Sequence, residues 1–336
     1  MSGNFENPFG TAGALIRNTW ITKRPYLVYF KPTARCDLRC KICNRWKEKS
    51  SSAEELGLSE IESFLSVMKR NGATVLILWG GEPTLRKDLP EILNLAKSLG
   101  YRISMCTNLN SLEKKAERLL PNLDTLLCSL DGYGKNHDDA RGLPGLFDKA
   151  VRAIEKSTEY KHLRIKIWAA LHRFNTKDIE PLAKLAKELG VWIEYFPVAL
   201  IENYNEELVL QNEELETAFG GIVELKRAGY PVWNLDSVLR IMGENRHVKC
   251  NIGRIAIHFN HRGDVYSCED PEGNPLHSWG NIRDIDLTEL ISSKEFRDVG
   301  LGLSSCQKCR LPCALELSNN LLTSYAGMFW QSMTRS

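Results

Sequence analysis

Six apolar, strand-like runs alternating with amphipathic stretches constrain the fold of this chain more than any other feature. Tyr26–Lys31 is β-branched and aromatic, and Thr74–Trp79 is continuously apolar; Tyr101–Thr107, Thr125–Leu130, Leu163–Leu171 and Val191–Pro197 follow. Between the first two, Leu58–Arg70 sets Ile61, Phe64, Leu65 and Met68 on one helical face, with Ser59 as candidate cap. Asp88–Leu99 reads as a helix ending at Gly100, and others are expected near 112–120, 145–158 and 176–189. Apolar strands separated by helices specify an α/β fold whose parallel sheet is covered by helices. In such sheets ligands bind at the carboxyl ends of the strands.

The 336 residues allow one large domain and a smaller appendage. Lys and Arg are spread along the chain and the net charge is only +2, so no nucleic acid is expected as a partner. No apolar run approaches the roughly 20 residues of a membrane span. Met1–Gly10 lacks the basic-then-apolar order of a signal peptide. A cytoplasmic location is therefore expected. In that reducing compartment, ten cysteines point to metal binding or catalysis before disulfides.

Three of them lie close together, in Cys36-Asp-Leu-Arg-Cys40-Lys-Ile-Cys43. Three thiolates on a tight loop suit three irons of a cubane, leaving a fourth iron open for chemistry. A zinc site is the rival, but it wants a fourth Cys or His nearby, and the next His is the distant His137. Cys106 and Cys128 sit in apolar strand-like runs and read as buried structural thiols. Four polar motifs fall at strand ends: Cys36 after the first, Gly80-Gly81-Glu82-Pro83 after the second, Thr107-Asn108 after the third, Ser129-Leu130-Asp131-Gly132 at the fourth. The glycines permit close backbone approach, Pro83 fixes the turn, and Glu82 can accept hydrogen bonds from an ammonium group. Asn108 and Ser129 suit ribose hydroxyls or a carboxylate, and Arg141 suits a carboxylate.

Together these motifs resemble the radical S-adenosylmethionine superfamily over about residues 25–200. Cys36, Cys40 and Cys43 match its cysteine triplet, with Ile42 where an aromatic residue is common. Gly80-Gly81-Glu82-Pro83 is similar to its GGEP motif. Thr107-Asn108-Leu109 resembles TNG, with Leu in place of Gly, and Ser129…Asp131-Gly132…Arg141-Gly142 resembles its SxDG…RG stretch. The resemblance implies a partial six-stranded (β/α)6 barrel. It also implies a 4Fe–4S cluster whose open iron chelates S-adenosylmethionine, and reductive cleavage of that cofactor to a 5′-deoxyadenosyl radical that abstracts hydrogen from a substrate. An electron donor such as ferredoxin or flavodoxin is implied as a partner.

The last third differs. Asn205–Gly229 reads as a Glu-rich helix and Val238–Asn245 as another. Cys250 precedes a strand at Arg254–Phe259, a turn at Asn260-His-Arg-Gly263 and a return strand ending at Cys268. Gly280-Asn281-Ile282, a helix near Leu287–Phe296, and Cys306-Gln-Lys-Cys309-Arg-Leu-Pro-Cys313 follow. Five cysteines suggest a second metal site, with a zinc knuckle as the plain alternative. The arrangement is similar to the truncated SPASM, or twitch, extension of the superfamily, a small α+β iron–sulfur domain. By that resemblance Cys250, Cys268, Cys306 and Cys309 hold one auxiliary 4Fe–4S cluster, with Cys313 as an alternative to Cys309. The expected organisation is an N-terminal extension at 1–24, a core at 25–200, a helical linker at 201–248, an auxiliary-cluster domain at 249–316 and a tail at 317–336.

The expected substrate is a small molecule or a lipid-type compound, with a peptide or protein as the alternative. A non-catalytic electron carrier is disfavoured because a carrier needs no cofactor pocket. Ala12, Leu15, Ile16 and Trp20 form an amphipathic segment, and Leu317, Leu321, Leu322, Tyr325, Met328, Phe329 and Trp330 lie near helical spacing. Docking on the body is the simpler role for both, and peripheral membrane contact the other. Trp46, Trp79 and Trp168 are candidates for a pocket wall or for core packing, and Lys166 and His172 have no assigned role.

Overall fold

A computed structural model describes residues 17–309, 311, 312, 315 and 316. Cys313, the tail from Leu317 onward and Ala12, Leu15 and Ile16 lie outside the described residues, as does the side chain of Trp20. The six expected strands are present: β1 Leu27–Phe30, β2 Val75–Leu78, β3 Arg102–Thr107, β4 Thr125–Ser129, β5 Arg164–Leu171 and β6 Trp192–Pro197. They lie side by side in chain order, all parallel. Right-handed crossovers between sequential neighbours put every connecting helix on one face. The other face curls inward as a partial barrel.

Alternation along the strands separates the two faces. In β3, Ile103 and Met105 are buried, whereas Arg102, Ser104 and Cys106 are half-buried. The helix Leu58–Arg70 buries Ile61, Phe64, Leu65 and Met68, the stripe its spacing predicts. Its cap is not Ser59: Gly57 donates its N–H to the Glu60 carboxylate at 2.8 Å, which places Ser59 inside the first turn.

The C-terminal third joins the same sheet. β7 (Ala256–Phe259) pairs in parallel with β1, Leu27 opposite Ala256 and Phe30 opposite Phe259. β8 (Asp264–Tyr266) and β9 (Ser278–Asn281) continue it antiparallel, giving nine strands in the order β6-β5-β4-β3-β2-β1-β7-β8-β9. Several expected boundaries move. The Glu-rich helix runs only over Asn212–Arg227, because Gln211 donates its N–H to Glu214 and starts it there. Arg254 lies in a short helical turn, Ile252–Ile255, before β7. Gly280 and Asn281 belong to β9. The expected helix at Leu287–Phe296 is two, Leu287–Ser292 and Lys294–Gly302, broken where the Ser293 hydroxyl caps Phe296 N–H at 3.0 Å.

Leu109 explains why glycine is common at its position. Its φ is 69°, in the left-handed region where a side chain costs about 1–2 kcal/mol. Yet the side chain is 1% exposed and part of the core. Losing a buried Leu costs about 2–5 kcal/mol, so burial outweighs strain. Leu109→Gly is expected to lower the unfolding free energy by about 1–3 kcal/mol, measured by denaturant titration; a stabilised variant would show that strain dominates.

Candidate active site and iron–sulfur centres

One large cavity opens on the inner face of the sheet and is lined by both groups of thiols: Cys36, Cys40 and Cys43 from the loop after β1, and Cys250, Cys268, Cys306 and Cys309 from the C-terminal third. None of the described cysteines is in a disulfide.

The loop after β1 is fastened from three sides. Gly81 donates to Thr33 O at 3.1 Å and Glu82 N–H to Arg35 O at 2.8 Å, so the turn after β2 lies directly against the backbone preceding Cys36. A Cβ on Gly81 would stand 2.2 Å from Arg35 O, and one on Gly80, where φ is 120°, would stand 2.2 Å from the Lys31 side chain. Close approach thus requires both glycines. From the loop after β3, Asn108 and Asn110 donate to the two Asp37 carboxylate oxygens at 2.7 and 2.8 Å. From beyond β6, the Tyr204 hydroxyl donates toward Cys40 O at 2.6 Å and Cys43 O at 3.1 Å.

Glu82, at the cavity wall, is already engaged within the protein. Its carboxylate is 1% exposed and accepts from Thr84 N–H (3.0 Å), Thr84 hydroxyl (2.7 Å), Thr107 hydroxyl (2.8 Å) and Asn108 N–H (2.7 Å). It ties the turns after β2 and β3 together, and the Asn108 side chain is likewise engaged with the cysteine loop. Pro83 is buried at the start of the 3₁₀ turn that Glu82 caps. Gly80, Gly81, Glu82, Asn108, Ser129 and Arg141 all line the cavity wall.

Asp131 anchors the far side. It is fully buried and accepts from Arg141 Nε at 2.6 Å and from Ala170 N–H at 3.0 Å. Burial raises its carboxyl, but the Arg141 guanidinium beside it more than offsets that and holds it below its ordinary value of 3.8. Only Nε of Arg141 is taken by this pair, and the residue lines the cavity. His137, in the helix Lys135–Arg141, accepts from Asp131 N–H through Nδ1 at 3.1 Å. Burial pushes its pKa down to about 4, so it is neutral at pH 7.

The thiol chemistry suits iron–sulfur clusters. Burial above all, with a smaller contribution from the neighbouring Cys43, pushes Cys36 up to about 11 and Cys40 up to about 12. Burial also lifts Cys309 to about 11, with Cys250 and Cys306 near enough to add to it. Cys250, Cys268 and Cys309 pack on one apolar cluster with Tyr29 and Ile252. These are two groups of sulfur donors on the wall of one cavity, and metal binding there must release thiol protons. The first set offers three donors and the second four among the described residues. That fits a cluster with an open iron and a fully ligated one.

Some wall residues were not legible as such in the sequence. Arg45, two residues after Cys43, forms a buried ion pair with Glu269, next to Cys268, and sits 5.3 Å from the Trp79 ring centre. Cys106 faces the cavity, 3.8 Å from the Ser129 hydroxyl, rather than packing as a structural thiol; its shared alternation with Arg102 and Ser104 is the signal that marks it. Cys128 is buried as expected. Trp46, Trp79 and Trp168 all reach the wall, whereas His172 is buried and accepts from Phe174 N–H at 3.3 Å. Among the described residues no helix is long and apolar enough to cross a membrane.

Known proteins match this layout. The radical SAM superfamily model matches residues 30–186, and the SPASM iron–sulfur cluster-binding domain matches residues 250–313. An Fe-coproporphyrin III synthase of Methanosarcina barkeri is 30% identical over 168 residues, 49% of this chain and 42% of that protein. An AdoMet-dependent heme synthase of the same organism is 32% identical over 173 residues, 51% and 49% of the two chains. The chain thus spans about half the length of the curated relatives it matches. Streptococcus suis SuiB bound to S-adenosylmethionine superposes with a TM-score of 0.68 at 16% identity, over 91% of this chain and 75% of SuiB. Native anSMEcpe with bound AdoMet gives 0.65 at 21% identity, over 93% and 98%. At such identities these structures speak for the fold alone. The matched domains carry S-adenosylmethionine, a 4Fe–4S cluster and auxiliary iron–sulfur with them. By these two matches, its strand order and its two groups of thiols, this chain carries a radical S-adenosylmethionine domain over residues 30–186 and a SPASM domain over residues 250–313.

Proposed function

We propose that this chain cleaves S-adenosylmethionine reductively and oxidises a small organic substrate held between two iron–sulfur centres. The observation that carries this reading is the single cavity reached by both groups of thiols and by the loops after β2, β3 and β4. Cys36, Cys40 and Cys43 would hold the cluster that binds the cofactor. Held there, the cluster would supply the electron for reductive cleavage of the cofactor, the chemistry that leads to hydrogen-atom abstraction from the substrate. Gly80 and Gly81 let the backbone approach the cofactor, Ser129 offers a hydroxyl for its ribose, and Arg141 offers a charge for its carboxylate. Glu82, Pro83, Asn108 and Asp131 act by holding those groups in place.

Cys250, Cys268, Cys306 and Cys309 would hold an auxiliary 4Fe–4S cluster that accepts the electron left by hydrogen abstraction. Cys313 stays an alternative ligand. A one-electron donor of the ferredoxin or flavodoxin type would reduce the first cluster. Ile77, Trp79, Leu127, Trp168 and Leu276 make the walls apolar, which suits a compound with a hydrophobic skeleton. The curated relatives named as heme synthases act on small molecules, which supports the same reading.

SuiB, whose structure bound to the precursor peptide SuiA also superposes, keeps a peptide substrate as the second reading. The two separate in one assay. 5′-Deoxyadenosine formation by the reconstituted protein should rise when a metabolite extract is added and stay at its basal rate with a peptide fraction. Stimulation by the peptide fraction alone would refute the small-molecule reading.

A further inference from the structure

Lys166 and Glu194, which have no part in the site described above, meet Glu316 inside the barrel. Both lie on the inner face, on β5 and β6. Glu194 is 1% exposed, and its Oε2 accepts from Lys166 Nζ and from Trp168 Nε1, each at 2.7 Å. Its Oε1 is buried with no donor. The carboxyl facing it is Glu316, 6% exposed, whose own Oε1 is equally buried without a donor. Two buried carboxylates facing one another repel if both stay ionised, and a proton on Glu316 lets it donate to Glu194.

The charges around the pair do not remove the need for that proton. Lys166 is committed to Glu194 and lies 4.9 Å from the Trp233 ring, which Arg164 approaches from 5.4 Å. Lys226, from the helix Asn212–Arg227, faces the pair at longer range but bonds Asn234 O and Asp236. One lysine in direct contact serves two carboxylates.

We propose that a protonated Glu316 carboxyl donates to Glu194, which pins Leu315 and Glu316 inside the barrel and positions both the C-terminal thiols and Trp168. Both residues follow Cys309 closely in the chain. Cys309 and Leu311 line the cavity, Leu315 is buried in the core, and Glu316 is the next residue. Trp168, at the same wall, is held by the same carboxylate. The two glutamates are therefore positioning residues, acting on the cavity through what they hold.

The sign of the pH effect follows. Burial, then Glu194, keeps the Glu316 carboxyl well above its ordinary range. When Glu316 is released into solvent, it ionises at about pH 4. Between those limits the docked form holds one more proton than the released form. Docking then weakens up to about tenfold per pH unit as pH rises.

Hydrogen–deuterium exchange of peptides spanning 311–316 tests this in the iron-reconstituted full chain from about pH 6 to about pH 9, after correction for intrinsic exchange. Wild-type protection should fall as pH rises, approaching tenfold per unit. Glu316→Gln, whose amide can donate to Glu194, should stay protected with no pH dependence. Glu316→Ala should be weakly protected throughout. A corrected wild-type profile that is flat, or a Glu316→Gln profile with the wild-type slope, would overturn the protonated Glu316 carboxyl. Exchange is read without turnover, so its failure is distinct from failure of the proposed function.

Discussion

Gly81→Ala is expected to cut S-adenosylmethionine cleavage by at least about 100-fold, because a misplacement of about 1 Å is enough to cost that much. The added Cβ meets Arg35 O at 2.2 Å and Ala34 O at 2.5 Å. Both are backbone atoms, fixed by the hydrogen bonds that join the two loops, so neither can swing aside. The strain falls on the residues immediately before Cys36, at the point where the cluster loop and the cofactor turn touch. Gly220→Ala is the control: it lies within the helix Asn212–Arg227 with open space at its Cβ, so it should leave activity intact. Anaerobic assay of 5′-deoxyadenosine with dithionite reads both variants. Wild-type turnover in Gly81→Ala would mean that the two loops do not meet as described.

Asp131→Ala is expected to lower the unfolding free energy by about 3–5 kcal/mol, the usual cost of stranding one member of a buried ion pair. Arg141 would lose its partner, and Ala170 N–H its acceptor. Asp131→Asn, which keeps an acceptor oxygen, should cost less. The pH dependence has a definite sign. The folded-state pKa lies below the unfolded one, so the stabilisation is fully present above the ordinary Asp value of 3.8 and fades as pH falls through the lower folded value. Denaturant titrations near neutral pH should therefore show the full difference between wild type and variant, and titrations in strong acid a shrinking one. A difference that grew on acidification would contradict the assignment of the pair.

The barrel was legible because its signals are local. Apolar runs such as Val75–Leu78 and the Ile61, Phe64, Leu65, Met68 stripe depend only on periodicity. The turn after β2 was legible as a motif, since glycines at 80 and 81 have a backbone reason to be there. What the sequence hid was pairing between distant residues. Nothing near Ala256 announces that β7 will pair with β1 and carry the C-terminal third into the same sheet. Nothing near Arg45 announces Glu269, more than 200 residues away. Glu82 is the instructive case. Its residue type suits an ammonium ligand, and in the fold its oxygens also accept from Thr84, Thr107 and Asn108, so it ties the turns after β2 and β3 together at the cavity wall. Leu109 shows the converse, a position where the motif prefers glycine for its φ and this chain accepts strain to fill its core.

Iron counting paired with cofactor cleavage tests the central claim most directly. Anaerobically reconstituted wild-type protein should bind about eight irons, the sum of two 4Fe–4S clusters, and form 5′-deoxyadenosine with dithionite. Replacing Cys36, Cys40 and Cys43 together with Ala should halve the iron and abolish 5′-deoxyadenosine. A triple variant that still cleaves S-adenosylmethionine would contradict the account.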